Sequence, residues 1–240
     1  MLRLNQARME AKVGKGPAVQ HMFDAIAGRY DLMNRVMTLG QDQRWRRYVV
    51  AQAGNPKDGW VLDLATGTGD IAALIRASHP QAKVLGGDFS RNMLAEARRR
   101  FPDRDISWQA CDAEALPFAD GVLAAVSFGY LLRNVDDPLA VLREVYRVLQ
   151  PGGRVVCLDT TPPAKNLLAP LIQLHFRYGI PLLGRLIAKD VAAYSYLTGS
   201  TMGFHNAEQL ARLFSEAGFK AVGYRKFMLG TIAVHWGEKP

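Results

Sequence analysis

The chain has 240 residues, of which 49% are hydrophobic and 22% are charged, a composition typical of a globular protein with one large core. No apolar run reaches the ~18 residues that a membrane-spanning helix needs, and the N-terminus lacks the apolar stretch of a secretory signal. The two cysteines, Cys111 and Cys157, have no pair spacing, so we expect free thiols in a cytoplasmic protein. The histidines are scattered, and we predict no metal site.

The formal net charge is +8, and basic residues cluster at 44–47 and 98–100. Three explanations are open: solvated helix faces, peripheral association with an anionic membrane surface, or binding of nucleic acid. No recognised nucleic-acid-binding module accompanies the charge, so we predict no nucleic-acid partner.

The N-terminal part of the chain is predicted to be helical. Residues 1–17 are expected to form a flexible leader. Apolar residues then recur at helical spacing from Val19 to Val36, which predicts a helical cap over residues 18–56. A turn cluster, "AGNPKDG", ends the cap.

Strands and helices alternate over the next hundred residues. Helices are predicted over Asp70–Ser78, after a capping Ser90 as far as Arg100, and from Pro138 to a Pro-Gly-Gly stop. This alternation predicts a mostly parallel sheet covered on both faces. The strand candidates are "WVLDLA", "AKVLGGDF", "ISWQACDAE", "GVLAAVSFGYLL" and "RVVCLDTT".

The C-terminal part breaks this alternation. Residues 164–204 are apolar and are predicted to be a helical insertion. A helix over Asn206–Ala217 follows, and two apolar runs joined at Gly230 predict a hairpin at the sheet edge. We therefore predict an α/β fold in one domain over residues 18–240, with a seven-stranded, mostly parallel sheet and an antiparallel C-terminal hairpin strand.

The run "VLDLATGTGD" ends the first predicted strand in a glycine turn. From Gly67 the spacing is G-x-G-x-x-A, and Asp88 follows Gly69 at about 20 residues. This pattern fits both a dinucleotide-binding loop and a loop that holds S-adenosylmethionine. Glycine spacing alone leaves the two open.

Acidic residues follow the first three predicted strands, and this arrangement predicts a nucleoside pocket. Asp88 is placed to accept the ribose hydroxyls, and Asp112 to accept from an adenine amine. Asp63 and Asp70 flank the glycine loop, where they would repel a pyrophosphate and favour a cationic ligand. S-adenosylmethionine carries an ammonium and a sulfonium, so it is favoured over NAD.

Several motifs together resemble a known family. The chain resembles the class I S-adenosylmethionine-dependent methyltransferases, and more narrowly the C-methyltransferases of menaquinone and ubiquinone biosynthesis, over about residues 18–239. The resemblance implies a Rossmann-like fold. The glycine loop and "YRVLQPGG" are shared by many methyltransferases, whereas three segments are specific to the quinone enzymes: "RYDLMN", "LRNV" and the tail "AGFKAVGYRKFMLGTIAVHWGEKP".

The resemblance implies S-adenosyl-L-methionine as the cofactor and a set of residues that hold it. Asp88 would bind the ribose, Asp112 and Ala113 would surround the adenine, and Ser127 would face the cofactor. The chain departs from the family where it has "FGYLLRNV" for "FGLRNV" and "LDTT" for "LEFS". Both departures border the substrate pocket. The loop residues implied are Asp63, Gly67, Thr68 and Gly69.

The reaction that the resemblance implies is methyl transfer to a ring carbon of a reduced, prenylated quinone, either demethylmenaquinol or a ubiquinone precursor. Arg133 is the candidate for stabilising a phenolate, and Asn134 for orienting the hydroxyl or a bridging water. Tyr30 would fold over the cofactor, with helix packing as the alternative. The 164–204 insertion would shape a channel for the prenyl tail, with core packing as the alternative.

Other functions stay open at this point. A methyltransferase for another hydrophobic acceptor, such as a sterol or a polyketide, is the nearest alternative. An NAD-dependent oxidoreductase is disfavoured by the acidic loop flanks, and an RNA-binding or assembly protein is supported only by charge. The sequence leaves monomer and homo-oligomer open.

Overall fold

The computed structural model describes residues 35–38, 40–56, 59–163, 174, 179 and 191–240. The predicted leader, most of the helical cap and residues 164–190 of the insertion, apart from two isolated positions, lie outside these ranges. Seven strands form one sheet in the order β3-β2-β1-β4-β5-β7-β6. They are β1 (Trp60–Leu64), β2 (Lys83–Asp88), β3 (Ile106–Ala110), β4 (Leu123–Gly129), β5 (Leu149–Thr160), β6 (Lys220–Phe227) and β7 (Ile232–Glu238).

The predicted mostly parallel sheet is confirmed. Strands β1 to β5 pair in parallel, and β7 pairs antiparallel with both β5 and β6. The described residues form the following α-helices: α1 (Asp42–Gln52), α2 (Asp70–Ser78), α3 (Arg91–Arg100), α4 (Pro138–Val148), α5 (Val191–Met202) and α6 (Ala207–Glu216).

Local capping signals explain several helix boundaries. The Ser90 hydroxyl accepts a hydrogen bond from the Met93 amide at 3.0 Å, as predicted for the start of α3. Asp137 caps α4, which has Pro138 in its first turn. Asn206 and Gln209 form a capping box at the start of α6.

Two strand predictions are corrected. The fourth predicted run extends to Leu132, but β4 ends at Gly129 because Tyr130 has a φ of +60° and leaves the extended conformation. A 3-10 turn over Leu132–Asn134 follows. The fifth strand begins earlier than predicted, at Leu149. The predicted hairpin at the sheet edge is confirmed, with β7 paired to β5 and β6 as the outermost strand.

Both faces of the sheet are buried against helices. One core packs α4 and α6 against the sheet and contains Leu62, Phe128 and Phe214. The other packs α1 and α2 against the opposite face and contains Trp45 and Ile75. Alternate residues of the central strands thus enter opposite cores, as the period of a strand requires.

Two thiols and one imidazole are buried in the fold. Cys111 and Cys157 are buried and free. The His235 Nε2 lies 2.9 Å from the carbonyl oxygen of Ala207, and burial lowers the pKa of His235 to about 4. Within the described ranges, no helix is long and apolar enough to cross a membrane.

Candidate functional site

The loop between β1 and α2 is organised around the buried carboxylate of Asp63. Asp63 accepts hydrogen bonds from the Thr66 hydroxyl at 2.6 Å, the Ser127 hydroxyl at 2.8 Å and the Ala72 amide at 3.1 Å. Burial raises the pKa of Asp63 to about 6, against the lowering effect of these hydrogen bonds. These hydrogen bonds of the Asp63 carboxylate hold the loop in its conformation.

Ser127 is part of this arrangement, and its predicted place facing the cofactor stays a prediction. The Asp63 and Ser127 positions are neighbours in the β1–β4 pairing, so the two side chains meet directly. Ser127 has no exposed surface, and its hydroxyl points at Asp63. Ser127 and Asp63 are both buried and support the glycine loop.

The two glycines of the loop have different surroundings. Both have left-handed backbones, with φ of +55° at Gly67 and +89° at Gly69. A Cβ on Gly67 would have no atom within 4 Å, whereas a Cβ on Gly69 would lie 2.6 Å from Trp108. Gly67 thus leaves room for a ligand, and Gly69 leaves room for a side chain of the protein. Thr68 is buried, and its carbonyl accepts from Arg100 at 2.9 Å.

Asp88 joins the end of β2 to the glycine loop. Its carboxylate accepts from the Gly67 amide at 2.7 Å and from the Ser90 amide at 2.8 Å. The next residue, Phe89, is 48% exposed, which is unusual for a large aromatic side chain at the end of a buried strand. Phe89 was not predicted from the sequence, although its place after Asp88 is a usable signal.

The loop that follows β3 carries the predicted adenine-binding residues. Asp112 is exposed and accepts from the Glu114 amide at 2.9 Å, while Ala113 is buried. Side chains of α4 hold this loop. Arg147 donates to the carbonyls of Leu116 at 3.0 Å and Phe118 at 2.8 Å, an anchor that the sequence analysis missed.

The predicted role of Asp70 as an acidic flank is wrong. Its carboxylate pairs with Arg100 at 2.7 Å and with Arg46 of α1, so its charge is compensated. Arg46 is also buried, which removes it from the solvated face predicted for the first basic cluster. The negative charge near the loop comes from Asp63 and Asp88 instead.

A buried ion pair lies at the carboxyl ends of β4 and β5. Arg133 Nη1 donates to Asp159 Oδ1 at 2.6 Å, and both side chains are almost fully buried. Burial raises the pKa of the Asp159 carboxyl, while the charge of Arg133 lowers it. The buried Nε of Arg133 has no hydrogen-bond partner among the described residues. The guanidinium stacks on Tyr130 at 4.9 Å.

Asn134 links this ion pair to α5. Its amide nitrogen donates to the Tyr130 carbonyl at 2.7 Å, and its amide oxygen accepts from the Tyr196 hydroxyl at 3.2 Å. The hydroxyls of Thr160 and Thr201 are 2.9 Å apart and hold α5 over the end of β5.

The structure brings the predicted Arg133 and Asn134 together with two residues that the sequence analysis missed. Asp159 belongs to the "LDTT" departure, and Tyr196 belongs to the quoted motif "AAYSYLTGS". Tyr30 lies outside the described residues.

The residues at the ends of β1 to β3 fit S-adenosylmethionine. Gly67 leaves open space beside its backbone, Asp88 presents a carboxylate next to it, and Phe89 presents an exposed ring. A nucleoside needs a hydroxyl acceptor and a face for stacking, and this edge offers both.

Comparison with known proteins identifies the family. The profile of the ubiE/COQ5 methyltransferase family matches residues 8–239. The ubiquinone/menaquinone biosynthesis C-methyltransferase UbiE of Desulfotalea psychrophila is 69% identical over 98% of this chain and 95% of that protein. The demethylmenaquinone methyltransferase of Thermus thermophilus is 42% identical over 91% of this chain and 100% of that protein.

Solved structures show the same fold at low sequence identity. An S-adenosylmethionine-dependent methyltransferase of Thermotoga maritima superposes with a TM-score of 0.65 at 18% identity, covering 92% of this chain and 99% of that one. A chain from the complex of the Haloferax volcanii Trm112 methyltransferase activator with a methyltransferase gives a TM-score of 0.67 at 19% identity, covering 91% of this chain and 97% of that one. The chain is an enzyme of the ubiE/COQ5 methyltransferase family.

Proposed function

We propose that this methyltransferase transfers the methyl group of S-adenosylmethionine to a ring carbon of a prenylated quinol, converting demethylmenaquinol to menaquinol. The names of the relatives support the substrate class. The observation that carries the proposal is the buried Arg133–Asp159 pair beside Asn134 and Tyr196, at the edge where the glycine loop ends. A ubiquinone precursor is the second substrate to test.

The cofactor half of the site consists of the residues at the ends of β1 to β3. We assign the ribose hydroxyls to Asp88, the adenine to Asp112, Ala113 and Phe89, and the close approach to Gly67. Thr68 and Gly69 shape this loop, and Asp63 supports it. When bound, S-adenosylmethionine supplies an electrophilic methyl group on its sulfonium.

The substrate half has to hold the quinol and raise its nucleophilicity. A neutral quinol carbon is a weak nucleophile, and loss of a hydroxyl proton shifts electron density onto the ring. Arg133 can donate through Nε–H to the resulting phenolate, while Asp159 keeps the guanidinium in place. Asn134 orients the hydroxyl directly or through the Tyr196 hydroxyl.

Positioning also has to come from the protein, because the ring carbon must approach the methyl group in line. Bound in the cofactor half, S-adenosylmethionine would supply the methyl group, its methyl–sulfur bond giving way to the new carbon–carbon bond, and the methylated ring carbon would then lose its proton. We place Tyr30 over the cofactor and the 164–204 insertion along the prenyl tail. Of this insertion, α5 carries Tyr196 into the site.

The other functions considered from the sequence are not favoured. Membership of the family and the names of the relatives favour neither a sterol or polyketide acceptor nor hydride transfer with NAD. Membership also gives no support to a purely RNA-binding or assembly role.

Calorimetry and turnover test the proposal together. We expect the protein to bind S-adenosylmethionine but not NAD, and to methylate reduced demethylmenaquinone with a shortened prenyl tail. Asp88→Ala should weaken cofactor binding about 100-fold because a charged acceptor of two hydroxyls is lost. Asp105→Ala, at an exposed turn before β3, is the matched control. Failure to methylate either quinol while S-adenosylmethionine still binds would refute the substrate assignment.

A further inference from the structure

The turn between β6 and β7, residues Met228–Gly230, holds two apolar side chains in solvent. Leu229 is 61% exposed and Met228 is 37% exposed. Both have left-handed backbones, with φ of +55° and +44°. This conformation is unfavourable for any residue with a Cβ, and more than half of Leu229 and over a third of Met228 stay exposed. The packing of the fold therefore does not account for them.

The turn lies beside the carboxyl end of β5, where the Arg133–Asp159 pair of the candidate site also lies. Ile232, the first residue of β7, pairs with Thr160, the last residue of β5. The Thr161 amide donates to the Thr231 carbonyl at 2.9 Å, and the Thr161 hydroxyl donates to the Gly230 carbonyl. The turn is thus fastened directly to the end of β5.

A third exposed apolar side chain belongs to the element fastened on the other side of this strand end. Met202, the last residue of α5, is 41% exposed and follows Thr201, whose hydroxyl pairs with that of Thr160. Met202, Met228 and Leu229 are referred to as the apolar rim. All three sit on elements anchored to Thr160 and Thr161.

Arginines lie beside the apolar rim. Phe227, the residue before the turn, packs against Tyr48 of α1 at 5.5 Å, and Arg225 stacks over both rings. Arg44 and Arg47 are exposed on the same helix. Among the described residues, none of these three arginines forms an ion pair, whereas Lys226 pairs with Glu208 at 2.6 Å. Arg44, Arg47 and Arg225 are referred to as the basic flank.

We propose that the apolar rim and the basic flank dock the protein on an anionic lipid bilayer. Leu229 and Met228 enter the acyl region, and the arginines bind lipid phosphates. Stable peripheral binding needs both an apolar and an electrostatic contribution, and this surface supplies the two side by side. The physiological purpose rests on the proposed function, since a prenylated substrate would pass from the bilayer to an adjacent site.

Size argues against a second copy of the chain as the occupant. A stable dimer buries roughly 1,200 Å² or more, which three side chains at a narrow turn do not supply.

Vesicle sedimentation of the full chain tests the docking surface. Met228→Asn/Leu229→Asn removes the apolar groups and keeps the turn, because asparagine tolerates the left-handed backbone. We expect binding to vesicles with 30% phosphatidylglycerol to fall by about tenfold or more. Val122→Asn is the matched control, since Val122 is 41% exposed and precedes β4 at the opposite edge of the sheet.

Charge variants provide the second arm. Arg44→Gln/Arg47→Gln should weaken binding to the same vesicles about tenfold and flatten its dependence on salt. Arg104→Gln, in the exposed turn before β3, should leave it unchanged. Vesicles of pure phosphatidylcholine should bind the parent protein at least tenfold more weakly.

Three outcomes would overturn the proposal: unchanged vesicle binding in both double variants, equal loss in the controls, or loss of a dimer in sedimentation velocity without loss of vesicle binding. Turnover of a short-tailed, water-soluble quinol should stay within about twofold of the parent in every variant. If the parent protein does not methylate that quinol, the proposed function fails, while the vesicle result still decides the docking surface.

Discussion

Each half of the candidate site contains a buried carboxylate, and the two carboxylates differ in the charge of their hydrogen-bond partners. In the cofactor half, Asp63 accepts from two hydroxyls and one amide, all of them neutral groups. In the substrate half, Asp159 faces the guanidinium of Arg133 at 2.6 Å. The first carboxylate has no charged hydrogen-bond partner, and the second is neutralised by its partner.

This difference fits the charges that each half would meet. A net negative charge below the glycine loop favours a cationic ligand such as a sulfonium. A neutral pair does not attract anions from solution, while the buried Nε–H of Arg133 has no hydrogen-bond partner among the described residues. The same residue type thus creates two environments, and the neighbouring donors decide which one.

Removal of Asp159 should have the largest effect. Asp159→Ala leaves Arg133 buried without a counter-charge, and we expect the free energy of unfolding to fall by about 3–5 kcal/mol, together with loss of methyl transfer. Urea unfolding and turnover measure the two effects. The double variant Arg133→Met/Asp159→Leu should recover most of the stability and none of the activity. An active double variant would show that the pair is only structural.

Alanine at each loop glycine separates packing from ligand approach in the cofactor half. Gly69→Ala should lower the free energy of unfolding by about 3 kcal/mol, because its Cβ meets Trp108 in a left-handed backbone. Gly67→Ala should cost only about 1 kcal/mol for its backbone but weaken cofactor binding about tenfold. Thermal unfolding and calorimetry measure these quantities. Equal stability losses would contradict the different roles of the two glycines.

Acid should weaken cofactor binding through Asp63. Because the pKa of Asp63 is raised to about 6, only about a tenth of the carboxyl is ionised at pH 5, and affinity for a cationic ligand should fall about tenfold between pH 7 and 5. Asp63→Asn should bind weakly at both values. Calorimetry at the two pH values checks this. An unchanged pH dependence in the variant would assign the effect to another group.

The same raised pKa predicts the sign of the effect on stability. The unfolded chain ionises Asp63 at a lower pH than the folded protein does. Its contribution to the free energy of unfolding is therefore complete below about pH 4 and is lost as the pH rises through about 6. Comparison of the parent protein with Asp63→Asn by urea unfolding at pH 4.5 and 7 isolates this contribution.

The smallest effect is expected at Arg147, which holds the loop that follows β3 and carries Asp112 and Ala113. Arg147→Lys loses the planar fork that reaches the Leu116 and Phe118 carbonyls, so we expect cofactor binding to weaken about threefold, with little change in stability. Arg143→Lys is the matched control, since Arg143 is exposed on the same helix. A loss as large in the control would remove the assigned role.

Local signals were enough for much of the fold. The caps at Ser90, Asp137 and Asn206 act on amides within three residues, so their helices could be predicted from the sequence. The position of Asp88 at a strand end was predictable for the same reason. The left-handed backbone of Tyr130 was not predictable, because a bulky aromatic residue rarely adopts that conformation.

Contacts between distant residues were not predictable. Asp159 is 26 residues from Arg133, and Tyr196 is 62 residues from Asn134. Asp70 pairs with Arg46 and with Arg100, and these two arginines belong to different helices. The sequence position of a charged residue therefore does not reveal whether a distant partner neutralises its charge.

The sequence by itself determined the alternation of strands and helices, the glycine loop, the acids at strand ends and the family resemblance, because each depends on period, caps or motifs within a few residues. Only the tertiary structure decided which acids keep their charge, which glycine leaves room for a ligand and which apolar side chains stay in solvent. Those properties depend on strand register and on the packing of helices over the sheet, which join residues far apart in the chain.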